Sequence, residues 1–121
     1  MNIGNIMKRI RAHPDFGSVG MILCHNGIVR ATSRDGRPVK GLRVSVDHEK
    51  LKRIILEQKK NPGIVDVRVE IAEDEDLKVG DDVMFLVVAG DIRENVIAVL
   101  TQTLNTIKTT VTKKTEYFAE L

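Results

Sequence analysis

The chain has 121 residues, 42% of them hydrophobic and 30% charged. That length holds one core, so a single domain over 1–121 is expected, and the composition excludes a disordered tail. With 19 Lys plus Arg against 17 Asp plus Glu, the charge of +2 gives no global attraction to nucleic acid or membrane, so an anion site must come from local clustering.

Ile3, Ile6, Met7 and Ile10 recur at helical spacing over Ile3 to Arg11, with basic residues opposite. His13-Pro14-Asp15 stops that helix, because the residue before a proline is held out of the α region. Val19 to Cys24 is a short apolar run that suits a buried strand, and Asn26-Gly27 marks a bend before Ile28-Val29 resumes an extended path. Asp35-Gly36 is a turn dipeptide with extended flanks. Leu42, Val44 and Val46 alternate with Arg43 and Ser45, the pattern of a strand with one buried face.

Asp47 is placed to cap a helix from His48 to about Lys60, whose apolar residues are Leu51, Ile54 and Ile55. Asn61-Pro62-Gly63 ends it, and Ile64 to Ile71 alternates again. Glu73 to Asp82 reads as a polar connection, and Val83 to Ala89 as a strongly apolar strand. Gly90-Asp91 breaks that strand, with Asp91 expected as the cap of a last helix. Its stripe is Ile92, Val96, Val99, Leu100, Leu104 and Ile107. Thr109 to Phe118 returns to extended structure. The order predicts an α+β fold: a mostly antiparallel sheet with helices packed on one side.

Function classes narrow in the same way. The single cysteine, Cys24, excludes a disulfide framework and a multi-thiolate zinc site, and it falls in a buried-strand pattern. Four aromatic residues are too few for a platform that stacks single-stranded nucleic acid. No apolar stretch reaches the roughly 18 residues of a membrane span, and no signal-peptide pattern opens the chain. A cytoplasmic setting, without nucleic-acid or membrane partners, is the expectation. The acidic run Glu73 to Asp76 lacks calcium-loop spacing and reads as a solvated connection, so no metal is expected. His13, His25 and His48 are scattered.

Three basic groups stand out. Arg30, Arg34, Arg37 and Lys40 cluster around the Asp35-Gly36 turn, which suits either oxyanion capture or a solvated hairpin. Arg93 lies in the first turn of the last helix, where a cation is locally unfavourable; it faces a negative ligand or pairs with Asp91 or Glu94. Lys108, Lys113 and Lys114 follow that helix, where lysines are electrostatically favourable with or without a catalytic role.

The stretch Met21-Ile22-Leu23-Cys24-His25-Asn26-Gly27-Ile28-Val29-Arg30, then Asp35-Gly36-Arg37-Pro38-Val39-Lys40-Gly41-Leu42, resembles the large, catalytic subunit of molybdopterin synthase, a MoaE-like family. Ile92-Arg93 stands where that family has His-Arg, Lys108 lies fifteen residues on at the place of its functional lysine, and Lys113 and Lys114 lie near its last lysine. The sequence departs from the family pattern at His25 for Phe, Ile92 for His and Thr112 for Trp, and is a divergent member.

The resemblance implies an α/β-hammerhead-like fold and a sulfurtransferase. That enzyme converts cyclic pyranopterin monophosphate, a pterin phosphate, to molybdopterin. Sulfur comes from a thiocarboxylate on the C-terminal Gly-Gly of a small ubiquitin-like subunit. It implies Lys108 and Lys113 as catalytic residues, and Arg30, Arg93, Arg37 and Lys114 as substrate-binding residues. It implies no cofactor. It also implies a homodimer within a heterotetramer, each pocket taking a basic residue from the neighbouring subunit, with the Val83 to Ala89 strand expected in a shared sheet. The alternative is a non-catalytic homologue that binds the ubiquitin-like carrier.

Overall fold

The structure, a computed structural model, describes residues 1–119. Helix α1 (Ile3–Arg11) starts where the Asn2 side chain accepts a hydrogen bond from the Asn5 amide, and it buries Ile6 and Ile10. A 3-10 turn (Phe16–Ser18) leads to strand β1 (Met21–Ile28). After the basic hairpin come β2 (Val39–Val46) and helix α2 (His48–Lys59), capped as expected by the Asp47 carboxylate on the Lys50 amide. Then follow β3 (Ile64–Ile71), β4 (Leu77–Lys78), β5 (Asp82–Gly90), helix α3 (Arg93–Thr106), a π-helical turn (Ile107–Val111) and β6 (Thr112–Phe118).

The α+β class with antiparallel strands is the observed one, but the strands form two three-stranded sheets, β1-β5-β3 and β4-β2-β6. Helices also cover both faces of the first sheet, which corrects the one-sided expectation. The cause is β5, which is apolar at successive positions. Phe85, Val87 and Ala89 pack against Ile6 and Ile10 of α1, while Leu86 and Val88 pack with Val67 against Val96 and Val99 of α3. Each fully buried Val, Leu or Ile contributes about 1.5–3 kcal/mol, so neither face of β5 is left to solvent.

Because β5 is the middle strand, both of its edges are already paired, to β1 and to β3. A second copy of the chain could therefore extend this sheet only at its edges, β1 and β3. β1 also runs straight through Asn26-Gly27, where a bend was expected. Pairing to Phe85 and Met84 overrides the local turn signal and leaves only a register shift between Gly27 and Ile28.

The acidic connection hides β4. Leu77 is buried there, and the strand pairs with Gly41 and Leu42. Gly41 is required at that crossing, since a Cβ would collide with the Leu77 carbonyl oxygen. Asp91 sits one residue before the cap position of α3, which Ile92 fills without a side-chain hydrogen bond. The Asp91 carboxylate instead accepts from the Ile92 amide at 2.7 Å and from the Asn95 side chain at 2.9 Å.

One ion cluster ties α2 to β3. Asp66 is fully buried and lies 3.2 Å from Lys59 Nζ and 2.8 Å from Arg68 Nε. Burial pushes its carboxyl up, but hydrogen bonds from Lys59 and Arg68 outweigh that and hold it below the usual carboxylate range.

Candidate functional site

The site is built where α3 ends. Threonine hydroxyls return along this helix: Thr103 donates to the Val99 carbonyl at 2.6 Å, Thr106 to Gln102 at 2.8 Å and Thr110 to Thr106 at 2.6 Å. Such back-bonding competes with the backbone ladder, and here the last turn opens into the π-helical Ile107–Val111. Ile107 and Val111 stay buried against Ile54 and Met84, so the widened turn is anchored while Lys108 projects at the surface.

β6 sets the next positions by its pairing with β2. Lys114 lies opposite Val44 and Glu116 opposite Leu42, so both share the face of those buried residues. Lys113 lies opposite exposed Ser45 and points to the other face.

Two clefts open on the buried-residue face. The larger, about 500 Å³, is bounded by His25, Val44, Val83, Met84 and Thr112. The smaller, about 260 Å³, is bounded by Arg30, Thr32, Ser33 and Glu116. Arg34, Lys108 and Lys114 line both and join them. The junction therefore gathers cations from the hairpin, the end of α3 and β6. Glu116 is the one carboxylate among the lining residues of these two clefts, 3.9 Å from Lys114 Nζ.

The six residues expected at the site do not all meet. Lys108 and Lys114 converge, and Arg30 joins them in the smaller cleft, its Nε donating to the Thr32 carbonyl at 3.2 Å. Lys113 lines neither cleft, for the alternation just given. Arg37 is also outside, with its guanidinium 3.6 Å above the Phe118 ring. Arg93 is at the far end of α3, roughly 22 Å from Lys108 at 1.5 Å per residue, exposed and with its Nε 3.3 Å from Glu94. Within one chain Arg93 and Lys108 cannot hold the same small ligand.

Two residues gain importance that the sequence reading gave them only in passing. Arg34 was one of four hairpin cations with nothing to single it out. His25 was a departure from the family pattern, yet it lines the larger cleft with a buried Nε2 that lacks a hydrogen-bond partner among the described residues. Burial first, then the Lys108 charge, hold its imidazole below the ordinary 6.5, so the ring is neutral at neutral pH. A separate acidic hollow of about 560 Å³ is lined by Glu73, Glu75, Asp81 and Asp82. Among the described residues no group of three or more His, Cys, Asp or Glu is placed to hold a metal ion.

Comparison with known proteins agrees with this architecture. Molybdopterin cofactor biosynthesis protein E from Burkholderia multivorans superposes with a TM-score of 0.75 at 19% identity, over 100% of this chain and 88% of that one. Molybdopterin synthase from Staphylococcus aureus gives 0.72 at 20% identity, over 86% and 78%. The complex of subunits 1 and 2 of molybdopterin-converting factor from Helicobacter pylori gives 0.71 at 17% identity, over 99% and 85%. At these identities the likeness is one of fold. No curated protein matches the sequence. A family model, that of the MoaE protein, matches residues 1–110. With that match running over nearly the whole chain, and with the same fold beneath it, the chain belongs to the MoaE protein family.

Proposed function

We propose that the chain is the large subunit of a molybdopterin synthase. It converts cyclic pyranopterin monophosphate to molybdopterin, with sulfur from the thiocarboxylate of a small ubiquitin-like subunit ending in Gly-Gly. The observation that carries this reading is the convergence of Arg30, Arg34, Lys108 and Lys114 on two joined clefts in a chain of this family. A phosphate and a thiocarboxylate are both anions, and a shared cationic junction brings them together. Guanidinium groups hold phosphate bidentately, which suits Arg30 and Arg34 in the smaller cleft. Lys108 and Lys114 then face the thiocarboxylate, neutralising it and supplying amines for proton or acyl transfer.

The second lysine position goes to Lys114 rather than Lys113, because only Lys114 shares a face with Lys108. Arg93 enters the scheme through a second copy of the chain: in the proposed homodimer, within a heterotetramer, each protomer lends Arg93 to the cleft of its partner. Arg37 serves the hairpin by fixing it on Phe118. Among the described residues no helix is long and apolar enough to cross a membrane, and the proposed place of action is the cytoplasm. The reading of a non-catalytic carrier-binding homologue is favoured by Thr112 and Ile92, which replace Trp and His of the family pattern, Thr112 in the cleft wall itself.

Single-turnover conversion of the pterin with thiocarboxylated carrier tests both. Lys108→Ala and Lys114→Ala are each expected to slow conversion by about a hundredfold or more, the scale of a lost acid–base or nucleophilic group. Near-normal rates in both variants overturn the proposal, and carrier binding without any conversion by the unsubstituted protein selects the non-catalytic reading. For the dimer, Arg93→Ala and Lys108→Ala are mixed after unfolding and refolding together. Random pairing restores about a quarter of full activity, since one cleft in each mixed dimer keeps both groups. No recovery removes Arg93 from the partner's cleft.

A further inference from the structure

His25 lines the larger cleft and has no part in the proposed chemistry. Leu23, two residues earlier, packs in the α3-side cluster and Gly27, two residues later, lines the same cleft, so His25 sits on the α3-side face of β1. Its Nε2 is the one buried side-chain nitrogen or oxygen without a hydrogen-bond partner among the described residues. Native structures leave few such atoms, and each calls for a partner.

Three features say what enters. Gly27 adjoins the nitrogen: a Cβ there would stand 3.4 Å from Nε2. Val44, Val83 and Met84 give apolar walls suited to a flat ring. Arg34, Lys108 and Lys114 make a positive rim, which favours the tautomer with its unprotonated nitrogen toward them. The pocket thus lines one space with a hydrogen-bond acceptor, apolar walls and cations.

We infer that His25 Nε2 is a ligand contact, a bare nitrogen that accepts a hydrogen bond from a ring N–H or amino group of the heterocycle seated in the larger cleft. This deepens the pterin-phosphate reading and rests on it. The anionic arm lies on the cationic rim and the donor-bearing edge of the ring meets His25. Phe, the residue of the family pattern at this position, provides the same flat surface without the nitrogen, so His25 adds selectivity for a donor edge.

Calorimetric titration with two probes tests this: a stable oxidised pterin carrying a phosphate side chain, and inorganic phosphate. His25→Phe is expected to raise the Kd for the pterin phosphate about tenfold, the loss of one net hydrogen bond, and to leave phosphate binding within about twofold. His25→Gln, whose amide oxygen also accepts, recovers most of the loss. In the unsubstituted protein the imidazole ¹⁵N signal of Nε2 shifts with the pterin phosphate and not with phosphate alone. An unchanged Kd in His25→Phe, an equal loss for both probes, or a still Nε2 signal overturns the inference while leaving the proposed function standing. If neither probe binds the unsubstituted protein, the proposed function falls and takes the inference with it.

Discussion

The two ends of α3 carry similar sequence signals and opposite structures. At the start, Ile92 and Arg93 are exposed, the cap residue makes no side-chain hydrogen bond, and Arg93 pairs with Glu94. At the finish, Ile107 and Val111 are buried, threonines bond back along the backbone, and Lys108 meets Arg34 and Lys114 around an open cleft. A basic residue beside an apolar stripe is thus not informative alone. What decides its role is whether other chain segments bring charge and shape to the same place.

Stability draws this contrast most sharply. Ile107→Ala is expected to cost about 2–5 kcal/mol, since a fully buried isoleucine leaves a cavity against Ile54 and Met84, whereas Ile92→Ala at the exposed end stays within about 0.5 kcal/mol. Urea denaturation of both variants checks it, and equal costs would erase the distinction. Within β6, Lys113→Ala is expected to change sulfur transfer less than about threefold, against the hundredfold expected for Lys114→Ala. The reverse order would mean that the strand presents its other face to the reaction.

The smallest effect is a pH slope. Because burial and Lys108 lower the His25 pKa in the folded chain, the unfolded chain takes the proton first as pH falls below 6.5. Stability supplied by this group is therefore full above that value, declines as pH drops through it, and levels off once the folded ring is also protonated. His25→Phe lacks this contribution. The difference in urea midpoints between the two proteins, followed from about pH 7.5 to about pH 5, reads it directly.

Much of this was legible in the residues. α1 has the expected bounds, α2 ends one residue early, and the Asp47 cap rests on side-chain chemistry that acts within one turn. The strands β2 and β3 were equally plain. What escaped depended on partners distant in sequence. β4 is two residues long and exists because Gly41 lets it approach. Coverage of both faces of β5 was present in its unbroken apolar run, which is what double burial demands, but a short run of that kind does not say what lies on each side. The facing of Lys114 rather than Lys113 depends on where the π turn hands the chain to β6, which no spacing count in the sequence reveals.

Cys24 has a practical consequence. It is the only thiol of the chain and, contrary to the buried-strand pattern, it is exposed, on an edge strand and across the sheet from His25. Partial burial raises its pKa, so maleimide coupling calls for mildly alkaline buffer, about pH 8. A dye attached there sits outside the cleft yet on the rim where a second chain would extend the sheet. Its emission becomes a gauge of what docks along β1, leaving the basic groove free for whatever is titrated into it.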